Sequence, residues 1–222
     1  MITVHGLLGA PSDALRTDAA AAALVVGGRR HLEALGVETA RSVELGPLTP
    51  ALEAFAALPP DAEAVVVASG DPLLYGVVRR IRRAGLPVRV VPAVGSLQAA
   101  FAAVAVPWDD ALLVSAHGSD PAPALEACPH HPKVGVLTDP TTGFPQIVAA
   151  THGLGRVYVL AERLGEADER VRVLSDAEAA SVLDVAQPHV VLVLAHHPDD
   201  LDVLGVQYPI AGGARPWQKD PA

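Results

Sequence analysis

Short runs of β-branched and aliphatic residues alternate along this chain with stretches in which apolar positions recur at helical spacing. These runs predict strands at residues 2–5, 24–26, 64–68, 88–91, 111–116, 133–137, 156–161 and 190–194. Helices are predicted around residues 12–20, 50–57, 72–84, 96–105, 143–152 and 176–183. Unrelieved apolar strands separated by helices of about 10–15 residues are typical of βαβ units with a sheet covered on both faces. The pattern therefore predicts an α/β fold with a mainly parallel sheet.

The clearest strand-to-helix junction follows the valine run at residues 65–67. Gly70 supplies the turn, Asp71 is placed to cap the next helix, and Pro72 suits the first helical position, where no N–H is needed. Gly85 is placed to end that helix. Since open parallel sheets bind ligands at the carboxyl ends of their strands, this junction is the first candidate for a binding element.

Comparable turns follow three other predicted strands. Gly6 and Gly9 follow the first strand, Gly95 and Ser96 follow the fourth, and Asp139 follows the sixth. Each turn alone is more typical of a structural element such as a helix cap, and Ser96 is placed to cap the next helix. Because several such strand ends converge in an open sheet, the turns together predict one cleft.

The character of the chain changes near Pro107-Trp108-Asp109-Asp110. Beyond this point the loops are longer and richer in proline and histidine. We therefore expect an N-terminal α/β domain at residues 1–109 and a C-terminal α/β domain at residues 110–198. The last segment, residues 199–222, is rich in Pro and Gly with little periodicity, and is expected to be a poorly ordered tail.

Composition narrows the class of protein. The net charge of −9 lacks the basic excess of nucleic-acid-binding proteins. Cys128 is the single cysteine, which excludes an internal disulfide framework and suits a reducing compartment. The longest apolar runs fall short of the roughly 20 residues that a membrane-spanning helix needs. We expect a cytoplasmic, soluble protein with neither nucleic acid nor membrane as a partner.

Several other chemistries lack their sequence motifs. The chain contains no G-x-x-x-x-G-K-[ST] phosphate loop, no G-x-G-x-x-G fingerprint and no G-x-S-x-G elbow. The histidine pairs His130-His131, near Cys128, and His196-His197 match no zinc spacing. We expect both pairs to lie in solvated loops, and no metal site. The arginines at positions 79, 80, 82 and 83 are expected to form a solvated helix face.

A set of motifs spanning Ile2 to about Leu194 resembles the tetrapyrrole methylase family. The Gly-Asp-Pro turn of Ala-Ser-Gly-Asp-Pro-Leu-Leu-Tyr-Gly is typical of the whole family. Gly-Gly-x-Arg-His-Leu, Pro-Trp, Ser-x-His-Gly and Glu-Arg-Leu-Gly are typical of its corrin C-5-methylating branch. The matching segments are residues 26–32, 68–76, 91–98, 106–111, 114–118, 137–140 and 162–165, with Asp168 and Glu169.

This resemblance implies a two-domain fold with a mainly parallel sheet in the N-terminal domain, a mixed sheet in the C-terminal domain and the active site in the interdomain cleft. It implies S-adenosylmethionine as cofactor and methyl transfer to C-5 of a corrin precursor, precorrin-7 or cobalt-precorrin-7, in cobalamin biosynthesis. It also implies a homodimer. Because a C-15-methylating, decarboxylating domain is not expected in this chain, that activity is assigned to a separate partner.

The resemblance also implies roles for individual residues. Cofactor contacts are expected from Gly6, Gly9, Ser69, Gly70, Asp71, Leu74, Gly95, Ser96 and Asp139. The carboxylates of the macrocycle suit arginine forks, so substrate contacts are expected from Arg30, Ser115 and Arg163. A general base would have to remove a proton, and the residue type selects His117 and His31 as candidates.

Three alternatives stay open at this point. A sister methylase acting at another ring position would share the Gly-Asp-Pro turn. Leu8 stands where the family has a second glycine and Ser119 where arginine is common, which leaves room for a non-catalytic relative that binds tetrapyrrole or S-adenosylmethionine. A nicotinamide-dependent oxidoreductase is disfavoured because the glycine fingerprint is missing.

Overall fold

A computed structural model describes residues 1–117 and 120–204 of the chain, which contain two five-stranded sheets. The first, sheet A, is entirely parallel with the strand order β3-β2-β4-β1-β5. Its strands are β1 (Ile2–Leu7), β2 (Leu24–Gly27), β3 (Ser42–Glu44), β4 (Ala64–Ser69) and β5 (Val88–Val91). The helices of this half are α1 (Asp13–Ala21), α2 (Arg29–Leu35), α3 (Thr49–Ala56), α4 (Val77–Arg83) and α5 (Ser96–Ala103).

Sheet A is buried on both faces, which explains its unbroken valine runs. On one face, Val26 and Val66 pack in a core cluster with Ile81 of α4. On the other face, Val65 and Val67 pack in a second cluster that contains α1. Successive strand residues point to opposite faces, so consecutive valines fill both cores at once. The expected parallel sheet is confirmed.

The second sheet, sheet B, is mixed, as the family resemblance implied. Its order is β6-β7-β10-β8-β9. Strands β6 and β7 are parallel, whereas the pairs β7–β10, β10–β8 and β8–β9 are antiparallel. The strands are β6 (Leu112–Ser115), β7 (Lys133–Leu137), β8 (Val157–Glu162), β9 (Arg170–Ser175) and β10 (His189–Leu194). The helices are α6 (Ala122–His130), α7 (Phe144–Thr151) and α8 (Asp176–Ala179).

Helix α5 joins the two halves by packing against sheet B. Its Leu97 and Phe101 are fully buried in a cluster with Val159 and Leu192 of that sheet. The connection into β6 is fixed by Lys133, whose Nζ donates to the Asp110 carboxylate at 2.5 Å and to a main-chain carbonyl at 2.8 Å. A shared apolar core thus sets the relative position of the two sheets.

The turn after β4 differs from the prediction. The helix expected to be capped by Asp71 and to begin at Pro72 begins at Val77, so that prediction was wrong. Asp71 instead closes a tight turn, because its Oδ1 accepts from the Leu73 N–H at 2.8 Å. Tyr75 adopts a left-handed backbone with φ +53°, which interrupts any helix here. Gly85 does follow the end of α4, as predicted.

Smaller differences occur elsewhere. Gly95, and not Ser96, takes the capping position before α5. Strands β3 and β9 and helices α2 and α6 were not predicted. β3 has three residues, and β9 begins with alternating arginine and valine, as suits edge strands.

The last part of the chain and one loop extend beyond the described residues. Residues Leu201–Leu204 form a 3₁₀ turn in which Val203 is buried, and residues 205–222, most of the expected tail, lie outside the described residues. Gly118 and Ser119 of the Ser-x-His-Gly region also lie outside them. Within the described ranges no helix is long and apolar enough to cross a bilayer.

Candidate active site between the two sheets

The carboxyl ends of β1, β4 and β5 pack main chain against main chain. A Cβ placed on Gly6 would lie 2.5 Å from the Gly70 carbonyl oxygen and 2.8 Å from the Ala93 nitrogen. Gly70 has φ +65°, and its N–H donates to the Leu7 carbonyl at 2.7 Å. A Cβ on Gly70 would be 3.4 Å from the Gly95 Cα. Only glycine fits at Gly6, so the turns after these three strands are packed directly against one another.

Asp71, Leu74 and Ser96 complete this edge. A Cβ on Gly95 would lie 3.6 Å from the Asp71 Cβ, and a Cβ on Gly70 would lie 3.3 Å from the Ser96 nitrogen. Leu74 is half-buried against the core shared with sheet B. Six residues predicted to bind cofactor are therefore brought together: Gly6, Gly70, Asp71, Leu74, Gly95 and Ser96.

Ser115, His117 and Asp139 lie side by side on the edge of sheet B. Ser115 ends β6 in register with Leu137, the last residue of β7. The Ser115 hydroxyl accepts from the His117 N–H at 3.1 Å. Asp139 Oδ1 accepts from two main-chain N–H groups of its own loop, both at 2.8 Å. These polar side chains shape the turns in which they lie.

Arg163 lies farther along the same edge. Its backbone has φ +52°, and its N–H donates to the Pro188 carbonyl at 2.8 Å. Its Nε donates to the Gln187 carbonyl at 3.1 Å, and its guanidinium forms an ion pair with Asp168. The half-exposed guanidinium is therefore held in place by its own sheet.

His189 supports the loop that contains Asp139. Its Nε2 accepts from the Phe144 N–H at 3.2 Å and its Nδ1 lies 3.2 Å from the Ala186 carbonyl, which assigns the ring proton to Nδ1. Burial lowers the pKa of His189, and its hydrogen bond to Ala186 and the charge of Glu162 oppose that shift. A neutral His189 thus joins β10 to the start of α7.

His31, in the first turn of α2, meets Ser69, the last residue of β4. The Ser69 hydroxyl lies 3.4 Å from His31 Nε2, and His31 is only 6% exposed. Its Nδ1 is buried without a hydrogen-bond partner among the described residues. Burial lowers the pKa of His31, the positive charge of Arg30 lowers it further, and a main-chain interaction at Val67 opposes the shift. Burial and the neighbouring Arg30 thus favour the neutral form of the His31 ring.

Three contacts join the edges of the two sheets. Gly9 touches Gly165, since a Cβ on Gly9 would be 2.8 Å from the Gly165 carbonyl oxygen. Arg30 forms an ion pair with Glu166. The Tyr75 hydroxyl donates to a carbonyl of β6 at 2.9 Å. A cavity of about 180 Å³ lies beside the first two contacts, lined by Leu7, Leu8, Gly9, Arg30, His31, Ala34, Leu164 and Glu166.

The predicted residues thus form three groups. One is the glycine-lined edge, a second is Gly9, Arg30, His31 and Ser69 near the cavity, and a third is Ser115, His117, Asp139 and Arg163 on sheet B. Sequence reasoning did not single out Tyr75, Gly165 or Glu166, although Tyr75 and Gly165 lie inside quoted motifs. Their contacts are made with distant residues, and nothing local marks them.

Comparison with known proteins identifies the family. Residues 19–180 match the family model for tetrapyrrole (corrin/porphyrin) methylases. A cobalt-precorrin-7 C(5)-methyltransferase of Salmonella typhimurium is 33% identical over 184 residues, covering 78% of this chain and 90% of that protein. A decarboxylating precorrin-6Y C(5,15)-methyltransferase of Sinorhizobium is 38% identical over 165 residues, covering 68% of this chain and 38% of that protein. The crystal structure of an Archaeoglobus fulgidus precorrin-6Y methylase superposes with a TM-score of 0.63 at 24% identity, covering 87% of this chain and 97% of that one.

Two α/β halves, one with a parallel and one with a mixed five-stranded sheet, are the fold that this chain shares with solved tetrapyrrole methylases. The chain belongs to the tetrapyrrole methylase family. It is a methyltransferase that uses S-adenosylmethionine as its methyl donor.

The edge of sheet A fits this cofactor. The backbone around Gly6 is so close-packed that a single added Cβ would collide with it. Beside it stand the half-buried Asp71 carboxylate and three exposed apolar or aromatic side chains, Leu73, Tyr75 and Val94. S-adenosylmethionine combines ribose hydroxyls and an amino-acid end with an apolar adenine ring, which suits both kinds of surface. Leu8 packs against the core shared by the two sheets.

Proposed function

We propose that this chain transfers a methyl group from S-adenosylmethionine to C-5 of precorrin-7 or cobalt-precorrin-7 in cobalamin biosynthesis. The observation that carries the proposal is the similarity to the Salmonella typhimurium C(5)-methyltransferase along 90% of that protein. The second relative has C(5) in its name as well, and its match covers 38% of its length. C-5 is thus the position shared by both named activities.

In this proposal the cofactor lies along the carboxyl edge of sheet A. The turns at Gly6, Gly70 and Gly95 supply close main-chain contacts, with Asp71, Leu74, Ser69 and Ser96 beside them. Gly9 and Asp139 approach from the two ends of the cleft. When bound, S-adenosylmethionine supplies a methyl group that its positive sulfur already activates. The chain has to align this group with the nucleophilic carbon and exclude water.

The macrocycle is proposed to lie between the two sheet edges. Arg30 and Arg163 would bind its carboxylates through charge-assisted hydrogen bonds, with Ser115 as a further polar contact. His31, whose Nε2 lies 3.4 Å from the Ser69 hydroxyl, is one candidate for the base that removes the surplus proton. His117, which is exposed, is the second candidate.

The surroundings of the enzyme are also part of the proposal. We infer two domains, residues 1–109 and 110–198, since all strands of sheet A precede the first boundary and all strands of sheet B follow it. We infer a cytoplasmic homodimer, as the family resemblance implies. We propose a C-15-methylating, decarboxylating protein as a partner, because the Sinorhizobium relative has both activities in its name.

The decisive experiment has two stages. Calorimetric titration with S-adenosylhomocysteine, beside an NADH control, tests the cofactor site, and one site per chain of micromolar affinity is expected. Incubation with S-adenosylmethionine and precorrin-7, with and without cobalt, is then followed by mass spectrometry and NMR. Addition of one methyl group at C-5 supports the proposal. A methyl group at another position would indicate a sister methylase, and binding without turnover a non-catalytic relative.

A further inference from the structure

The ion pair between Arg30 and Glu166 closes one side of the cavity between the sheets. Arg30 comes from α2 in the first half, and Glu166 follows β8 in the second. Their side chains are 49% and 34% exposed, so water reaches both. An exposed ion pair of this kind contributes little to stability, and another carboxylate can replace one partner at low cost.

The cavity beside this pair has the lining that a short alkyl carboxylate requires. Arg30 and His31 are both among its lining residues. Leu7, Leu8 and Leu164 supply apolar wall for a methylene chain. Its volume of about 180 Å³ leaves room for a side arm but not for a macrocycle.

Glu166 is held so that its side chain alone can move. Its N–H donates to the Arg163 carbonyl at 2.9 Å. The preceding residue, Gly165, donates to the Glu169 carboxylate at 2.6 Å and touches Gly9. On its other side, the Glu166 carbonyl accepts from the Glu169 N–H at 3.1 Å. The loop is therefore fixed on both sides of Glu166, and we expect release of Arg30 to need no shift of the backbone.

We propose that, in the protein without substrate, Glu166 pairs with Arg30 at the position that a carboxylate arm of the substrate takes when it binds. The arm displaces Glu166, pairs with Arg30 and inserts its methylene chain into the cavity beside His31. The Arg30–Glu166 ion pair, called the latch below, thus joins the two halves and breaks when the substrate binds. This inference rests on the proposed function for the identity of the substrate, but the carboxylate subsite itself can be tested without methyl transfer.

The binding test uses propionate as the probe and propionamide as its neutral counterpart. In the 222-residue protein, the NMR signal of the His31 ring, assigned with His31→Gln, is followed during titration. Propionate is expected to shift it and propionamide to leave it unchanged. Glu166→Gln is expected to lower the propionate dissociation constant about threefold, and Arg30→Gln to abolish the shift. A propionate shift that persists in Arg30→Gln overturns the inference.

The kinetic test relies on KM changes of opposite sign in the Glu166 and Arg30 variants. Removing the competitor in Glu166→Gln is expected to lower the KM for the corrin substrate about threefold, whereas Arg30→Gln raises it about tenfold or more. The matched control is Glu44→Gln, which breaks the exposed 3.3 Å pair of Arg29 on the same helix and is expected to leave KM unchanged. If Glu166→Gln and Arg30→Gln both raise KM, the pair is only a structural bridge and the latch is refuted.

Failure of the proposed function gives a different pattern. A wild-type protein that does not methylate the corrin, yet shows the Arg30-dependent propionate shift, has the carboxylate subsite and another substrate. Methylation at C-5 without any propionate shift retains the function and refutes the subsite.

Discussion

Gly9 of the first half and Gly165 of the second have their main chains in contact. A Cβ on Gly9 would come within 2.8 Å of the Gly165 carbonyl oxygen, and a Cβ on Gly165 within 2.7 Å of the Gly9 nitrogen. Both residues have positive φ angles, +76° and +80°. Neither position can hold a side chain without moving one half of the molecule, so glycine at both sites sets how closely the two sheets approach.

Gly165→Ala should therefore destabilise the protein by about 2–4 kcal/mol, through backbone strain and overlap with Gly9. Gly36→Ala is the matched control, because Gly36 also has a positive φ, +64°, but has nothing within 4 Å of an added Cβ. That control should cost only about 1 kcal/mol. The free energy of unfolding in urea measures both, and equal losses would show that the contact with Gly9 is unimportant.

Gly6→Ala tests the cofactor edge. The added methyl group must displace the Gly70 carbonyl or the Ala93 nitrogen, so the affinity for S-adenosylhomocysteine should fall at least about tenfold, or 1.4 kcal/mol. Gly46→Ala, which places a methyl group in open space, should bind normally. Calorimetry gives both dissociation constants. Unchanged affinity in a folded Gly6→Ala protein would show that the cofactor does not bind at this edge.

Glu162 is a fully buried carboxylate at the end of β8 whose charge is fully compensated. Arg170 donates to both of its oxygens, at 2.8 and 2.9 Å, and Arg172 and the Ala186 N–H also donate to it. Burial pushes the pKa of Glu162 upward, but the hydrogen bonds from Arg170 and Ala186 and the two arginine charges outweigh it and lower the pKa.

Glu162→Gln should accordingly cost about 1–3 kcal/mol, because the neutral amide loses the charge-assisted hydrogen bonds from Arg170 and Arg172 and turns an NH2 group toward donors. Asp184→Asn is the matched control, since Asp184 pairs with the same arginines but its side chain is 72% exposed. Its effect should be far smaller. Chemical denaturation measures the free energy of unfolding of both variants. Similar losses of stability would contradict a special role for the buried carboxylate.

The stability of the protein should fall as the pH drops below about 6.5. The pKa of His189 is lowered on folding from its ordinary value of 6.5, so the unfolded chain binds a proton at a higher pH than the folded one. Stability from this group is thus fully present above 6.5 and is lost as the pH falls, with a slope of at most about 1.4 kcal/mol per pH unit.

His189→Gln should reduce that slope between pH 7.5 and 5.5, as measured by urea denaturation at a series of pH values. The slope should not vanish, because the lowered pKa of His31 acts with the same sign. An unchanged slope in His189→Gln would mean that the buried ring of His189 does not titrate in this range.

The turn after β4 shows where local sequence signals mislead. Asp71 and Pro72 suit the start of a helix, but they suit a tight turn equally well. A helix start and a tight turn both use a side-chain acceptor and a residue with a fixed φ. The choice is made by Tyr75, whose left-handed backbone lets its hydroxyl reach the Leu113 carbonyl of the other sheet. No local pattern contains that distant acceptor.

The edge strands were missed for a related reason. In β9 (Arg170–Ser175), the arginines that interrupt the apolar pattern are the partners of the buried Glu162. Their pairing becomes visible only when β8 and β9 lie side by side. A short or charged segment can therefore form a strand when a neighbouring strand supplies the hydrogen-bond and charge partners for its side chains.

The sequence by itself determined the parallel sheet, the positions of its glycine turns and the family, because valine runs, turn glycines and short motifs act through local geometry and burial. The tertiary structure decided which turns face one another. Gly9 meets Gly165, and Arg30 meets Glu166, 136 residues away along the chain. These contacts exist because α5 packs its buried leucine and phenylalanine against sheet B and so fixes the two edges opposite each other. Such a placement depends on the fit of two whole surfaces, and no single segment encodes it.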